Sequence, residues 1–289
     1  MMQRPKAPVH ASKLANADLN LAIKAALKAG EIIRENYYNR AKNQANAKGY
    51  QGDLVTVTDV ECDKAIQEIL KTTGYHILSE EINNKTREDG NRLWVVDPLD
   101  GTAGFIHKHI TVPAVMIALR EKFETVLSVV LRPLTGEIFY AAKGKGAYKN
   151  GRRVWTNQNN IAPANAWVAM NHYGDIELQT ELFSTADARL RIKGGASMVT
   201  RPVPYSGIAL DMLGDGKTLA AVIHDNNHKK PKQGPWDIIP IELLIREAGG
   251  VVCYLEDGTP VNPYNARPFI VAANQAMATA IINRVHITT

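Results

Sequence analysis

Between Trp94 and Thr102 an apolar run, Trp94-Val95-Val96, delivers two carboxylates three residues apart, Asp97 and Asp100, followed at once by Gly101-Thr102. The run has the character of a buried strand, and aspartates are costly to bury unless they are paired or bound to a metal. Any fold for this chain must therefore bring something cationic to the end of that strand. Hard oxygen ligands at this spacing suit Mg²⁺, which takes one or two protein carboxylates and leaves positions for water and phosphate. A Gly-Thr turn into a helix start adds backbone N–H groups able to hold a phosphate.

The remaining composition narrows the class. With 289 residues, 45% of them hydrophobic, the chain can bury a large core in one or two domains. It has no apolar run near the roughly 20 residues of a membrane span. Met1 to His10 carries Arg4, Lys6 and two prolines without an apolar h-region, so it reads as a disordered tail and not as a secretory signal. Cys62 and Cys253 lie among apolar periodic residues and read as buried free thiols, in keeping with a reducing, cytoplasmic home. The formal net charge of +5 favours an anionic ligand. It is too modest and scattered to point to nucleic acid, and no zinc spacing or RNA-binding aromatic signature accompanies it.

Apolar periodicity predicts a helix over 11–38, a polar loop over 40–52, a short strand over 53–58 and a second helix from Asp59 to near Gly74. A strand over 75–78 leads to Glu80-Glu81. Runs at 111–119, 123–131 and 137–142 predict an antiparallel meander, followed by a glycine-rich turn region over 144–151. Helices are expected over 176–188, 205–213, 236–248 and 274–285, and strands over 190–193, 219–223, 251–254 and 269–272. This is an α/β protein with helices layered between sheets. With no linker in sight, residues 11–289 are expected to form one unit of two tightly packed halves, about 11–150 and 151–289.

Four acidic sites share one pattern: Asp59, Glu80-Glu81, Asp97/Asp100 and Asp237 each stand at a strand end or helix start. Taken singly, such residues are ordinary partners of a helix dipole. Together they are suited to one crevice at a sheet edge, where α/β proteins place ligands, and they would repel one another without divalent cations. Phosphate bridged by metal ions, with an activated water, is the equipment for hydrolysing a phosphomonoester.

Asp97-Pro98-Leu99-Asp100-Gly101-Thr102, with Phe105 three residues on, resembles the signature of the inositol monophosphatase family, whose superfamily includes fructose-1,6-bisphosphatases and 3′-phosphoadenosine 5′-phosphate nucleotidases. Trp236-Asp237 followed by Glu247-Ala248-Gly249-Gly250 resembles its second signature. Glu80-Glu81 and Val57-Thr58-Asp59 stand at the expected places upstream. The resemblance implies a layered αβαβα fold and two to three Mg²⁺ ions. Glu80, Asp97 and the Leu99 carbonyl would hold the first ion, and Asp97, Asp100 and Asp237 the second. Glu80 would also help with a looser third ion and its water, while Glu81 would have a supporting role. Thr102, paired with Asp59, would orient and deprotonate the attacking water, and the N–H groups of Gly101 and Thr102 would grip the phosphate. Lithium sensitivity and a homodimer are implied as well.

The match loosens at the substrate end. Ser79 stands where the family commonly has Gly. Tyr205-Ser206-Gly207-Ile208-Ala209 replaces its Gly-Ser/Thr-Ala-Ala helix start, and the stretch 224–233 has no glutamate. Ser206, Asp100, Asp225 and Lys230 are the candidate substrate contacts, with Asp225 a replacement for the missing acid. Lys229, Lys230 and Lys232 are either a solvated loop or the partners of a second anionic group on the substrate. His107-Lys108-His109 is either a surface loop or a contact at the active-site mouth. The expected substrate is a small phosphorylated polyol, sugar or nucleotide, with fructose-1,6-bisphosphatase or nucleotidase activity as alternatives. A catalytically silent metal- or phosphate-binding regulator is the reading from another class.

Overall fold

The computed structural model describes residues 16–39, 46–47, 54–82, 85–108, 113–158, 167–172, 202–203, 206–213, 219–225, 234–265 and 267–285. The expected tail at 1–10, helix at 176–188, strand at 190–193 and loop 226–233 lie outside them. Helix α1 is Ala17–Asn36, shorter than the periodicity suggests, because the Asn16 side chain accepts from the Leu19 N–H at 3.1 Å and caps it. A short antiparallel pair follows, β1 (Asn46–Ala47) and β2 (Leu54–Val55). Helix α2 is Val57–Leu70. It starts before Asp59 because Thr56 and Asp59 form a capping box, which ends the expected strand two residues after it begins.

The first sheet holds seven described strands in sequence order. β3 (His76–Ser79) pairs parallel with β4 (Leu93–Asp100). The expected three-run meander follows as β5 (Ala114–Glu121), β6 (Glu124–Arg132) and β7 (Glu137–Ala142), and two further strands extend it, β8 (Gly146–Lys149) and β9 (Arg152–Val154), all antiparallel. The separator expected at Arg120-Glu121-Lys122 shrinks to a two-residue turn, Lys122-Phe123, with φ of 52° and 65°. That is the primed geometry matching strand twist, so Arg120 and Glu121 stay in the ladder. The glycine-rich region likewise contains β8.

The second sheet runs β11 (Pro202–Val203), β10 (Trp167–His172), β12 (Leu219–Asp225), β14 (Phe269–Ala272) and β13 (Val251–Tyr254). The expected helix near 205–213 is a 3₁₀ turn, Ser206–Met212. Helix α3 is Thr102–Ile106, α4 is Pro235–Glu247 and α5 is Gln275–Val285, the last capped by Asn274, which accepts from Met277 N–H at 2.9 Å.

Both faces of the first sheet are covered. Trp94 and Val96 of β4 join α1 and α2 in one core, while Leu93 and Val95 pack with Ile239 of α4. That explains why β4 reads as an unbroken apolar run. A further core lies between α4 and both sheets, and α5 covers the far face of the second sheet. The layers are αβαβα, as expected.

Helix α1 packs tightly at Gly30, where an added Cβ would lie 2.6 Å from Leu131 Cδ2 and 3.3 Å from Pro133 Cβ. Gly30→Val is expected to destabilise the protein by about 1–3 kcal/mol through overpacking, despite the poor helix propensity of glycine. Urea unfolding checks this; a midpoint equal to the wild type would show that the helix can back away without cost.

Candidate metal and phosphate site

Asp97 and Asp100 are an odd number of residues apart, so in a regular strand they would point to opposite faces. The ladder resolves this. Asp97 pairs with Met116 but Asp100 pairs with Ala114, so β4 carries one residue more than β5 across this interval. The bulge absorbs Pro98, which has no N–H to give a ladder. Val96 and Leu99 then face the same helical core. Asp97 and Asp100 share the other face, the side of α4.

Helix α4 opens there with Pro235 at its first position and Asp237 at its third. Asp97, Asp100 and Asp237 are 1%, 2% and 7% exposed, and one oxygen of each lies within 4.8 Å of the others. Each also accepts a backbone N–H: Leu99 to Asp97 Oδ1 at 3.0 Å, Gly207 to Asp100 Oδ2 at 2.7 Å and Gly234 to Asp237 Oδ2 at 2.7 Å. These amides fix the rotation of each carboxyl group. Three buried carboxylates at this range, all hard oxygen donors, fit a divalent cation such as Mg²⁺.

Beside them, Thr102 Oγ1 donates to Asp59 Oδ1 at 2.8 Å, joining the start of α3 to the first turn of α2. Asp59 is 1% exposed, and its Oδ2 accepts from the Thr56 N–H at 2.8 Å and from the Thr56 hydroxyl. Thr102 Oγ1 also lies 3.2 Å from the Leu99 carbonyl. A hydroxyl has one proton, and the shorter, charge-assisted bond to Asp59 takes it. The Leu99 oxygen keeps lone pairs for a cation. Gly101 makes the turn between strand and helix with φ of 81°, a left-handed conformation that a side chain would strain.

Not every expected residue joins this group. Glu80, expected as a metal ligand, stands outside the 4.8 Å cluster, whereas Asp59 is found where it was expected, on Thr102. Glu80 is nonetheless adjacent, since its N–H donates to the Val96 carbonyl at 3.2 Å, one residue before Asp97. Ser206 begins the 3₁₀ turn whose next residue, Gly207, holds Asp100. His224 and Asp225 belong to β12 and not to the loop that was expected to include them, because β12 continues its pairing with β10 through His172↔Asp225. His224 is buried and stacked on Phe269 at 4.2 Å between ring centres. Lys230 lies outside the described residues. The Lys108 amine bonds the Tyr37 carbonyl after α1 and lies over the Tyr37 and Phe105 rings. Thr56 and Gly207 escaped sequence reading. The Thr56-x-x-Asp59 spacing signals the first, whereas the second is a backbone contact across 107 residues and leaves no sequence signal. The second motif also has a structural part, since Glu247 accepts from Gly144 and Gly146 N–H groups at 2.7 and 2.6 Å and ties α4 to the β7–β8 hairpin.

The profile of the inositol monophosphatase family matches residues 15–288. The Nus factor SuhB of Escherichia coli K12 is 32% identical over 273 residues, covering 91% of this chain and 94% of that protein. The inositol-1-monophosphatase of Mesorhizobium japonicum is 28% identical, covering 93% and 96%. A solved IMPase/NADP phosphatase, complexed with Mg²⁺ and phosphate, superposes with a TM-score of 0.73 at 22% identity, covering 96% of this chain and 95% of that one.

Burial depresses the His224 pKa from 6.5 to about 3. The unfolded chain therefore binds this proton first, and stability falls as pH drops from about 6.5 toward 3. His224→Phe, which keeps the ring stack, is expected to flatten that acid-side loss in urea unfolding at pH 4 to 7; an unchanged slope would locate the acid sensitivity elsewhere.

Proposed function

We propose that this chain, which belongs to the inositol monophosphatase family, hydrolyses a small phosphate monoester with Mg²⁺ held at the Asp97–Asp100–Asp237 cluster. The observation that supports it most is the pairing of that buried cluster with the Thr102–Asp59 hydrogen bond. The cluster alone would serve to bind a cation, whereas a hydroxyl held on a buried carboxylate beside it is also equipped to take a proton from water.

In this reading Glu80, Asp97 and the Leu99 carbonyl would hold one ion, and Asp97, Asp100 and Asp237 would hold another. Two to three ions would serve in all. When bound, Mg²⁺ supplies the positive charge that polarises the phosphoryl group and lowers the pKa of water. The chain does the rest. The N–H groups of Gly101 and Thr102 hold phosphate oxygens. Thr102 accepts a proton from the attacking water as its own passes to Asp59, and Thr56 keeps that carboxylate in place. As the new bond to phosphorus forms, the bond to the ester oxygen breaks; that oxygen takes a proton from solvent water and leaves as the alcohol, and inorganic phosphate remains. Ser206, Asp100, Asp225 and Lys230 are the candidates for binding the alcohol portion, a polyol, sugar or nucleotide. The alternative substrates, a fructose bisphosphate or an adenosine bisphosphate, call on the basic stretch 229–232 for a second phosphate.

A second reading draws on the name Nus factor carried by a relative at 32% identity: a metal- or phosphate-binding regulator without turnover. Phosphate release from a panel of esters, with and without Mg²⁺, separates the two. Mg²⁺-dependent release is expected, and its absence from every ester would favour the regulator.

Asp97→Asn or Asp237→Asn is expected to abolish Mg²⁺-dependent phosphate release. In the metal-free protein either change relieves repulsion, so the urea midpoint should hold or rise. Near-normal turnover in either variant would sink the two-ion arrangement. Thr102→Val, similar in volume, is expected to lower kcat by roughly 10²- to 10⁴-fold, the usual contribution of a positioned proton acceptor, while calorimetric Mg²⁺ binding persists. A kcat within threefold of wild type (roughly 0.7 kcal/mol of barrier) would exclude Thr102 from the proton path.

A further inference from the structure

Arg132 ends β6 on the face shared with Val130, directed toward α4, and its side chain is 5% exposed. A guanidinium this deep must find several acceptors. Nη2 donates to the Gly207 carbonyl at 2.9 Å and pairs with Asp211 at 2.7 Å, so both of its protons go to one 3₁₀ turn, Ser206–Met212. Nη1 reaches back to Glu137 at 3.4 Å, at the start of the neighbouring strand. Arg132 thus clamps the turn to the first sheet at two points.

Gly207 is the residue whose N–H donates to Asp100 Oδ2 at 2.7 Å. It is held from both sides, with its N–H on an anion and its carbonyl on a cation. The Gly207 N–H helps to set the Asp100 carboxylate, and Arg132 holds the other side of the same residue through its carbonyl.

We infer that Arg132 is a positioning residue for the metal and substrate site, acting through Gly207 to set the Asp100 carboxylate and the turn that begins at Ser206. The inference rests on the metal reading of the Asp97–Asp100–Asp237 cluster. Neither Arg132 nor Asp211 is among the residues assigned to contact metal or ester. The fork of arginine suits this task, since its two terminal nitrogens reach Glu137 and the turn separately, whereas lysine offers one nitrogen.

The test titrates Mg²⁺ into the full-length protein by calorimetry and measures phosphate release from the ester turned over fastest. Arg132→Met is expected to weaken Mg²⁺ binding roughly tenfold or more, as loss of a group that orients a metal ligand does. It should also raise KM more than it lowers kcat. Arg132→Lys should recover part of both effects. Asp211→Asn, at a side chain 42% exposed, should move both in the same direction by less. An Arg132→Met protein that unfolds cooperatively yet matches wild type in Mg²⁺ affinity and KM would overturn the inference. Should that variant not fold, unchanged Mg²⁺ affinity and KM in Asp211→Asn would overturn it equally. Wild-type protein that neither binds Mg²⁺ nor releases phosphate would bring down the metal reading and this inference with it. Unaffected variants of a wild type that does both would bring down the inference alone.

Discussion

Three aspartates, each under a tenth exposed, lie within 4.8 Å of one another. At an effective dielectric near 20, two unit charges at that range repel by about 3–4 kcal/mol. The whole stability of a domain is only about 5–15 kcal/mol. The rest of the fold has to hold these carboxylates together before any cation arrives, and much of its design answers that demand. Core lies on both sides of β4, one part made with α1 and α2 and another with α4. Each acid is braced by a backbone N–H, which offsets part of the cost of burial.

The braces come from different parts of the chain. Asp97 is held by its own bulge, through the N–H of Leu99. Asp237 is held by the cap of its own helix, through Gly234. Asp100 accepts from a residue 107 positions away. Two local devices and one long-range contact therefore share the same task. The long-range one adjoins the segment where this chain departs from the inositol monophosphatase pattern.

Much of this was legible beforehand. The apolar run before Asp97, the glycine-hydroxyl pair after Asp100 and the helix opening at Asp237 are local patterns, and local patterns survive folding. The layered architecture followed from alternating helical and strand periodicities. Errors fell where a side chain or a turn outranks periodicity. Asn16 starts α1 later than its apolar spacing suggests, and Thr56 ends a strand that alternation would have prolonged. The Lys122-Phe123 turn lets two charged residues remain in β5. His224 looked like part of a polar loop, yet the ladder of β12 carries it into the interior against Phe269.

The sequence by itself determined the chemistry: which acids, glycine and hydroxyl the site contains, and that an apolar strand and helix starts would carry them. These follow from burial costs and backbone preferences that act over a few residues. Tertiary structure alone decided how those residues meet. Asp97 and Asp100 share a face only because β4 carries an extra residue against β5, a fact of register between two strands and not of either one. Gly207 braces Asp100, and Arg132 braces Gly207, only because two sheets pack across α4. Contacts between residues about a hundred positions apart depend on that packing, and no local pattern encodes it.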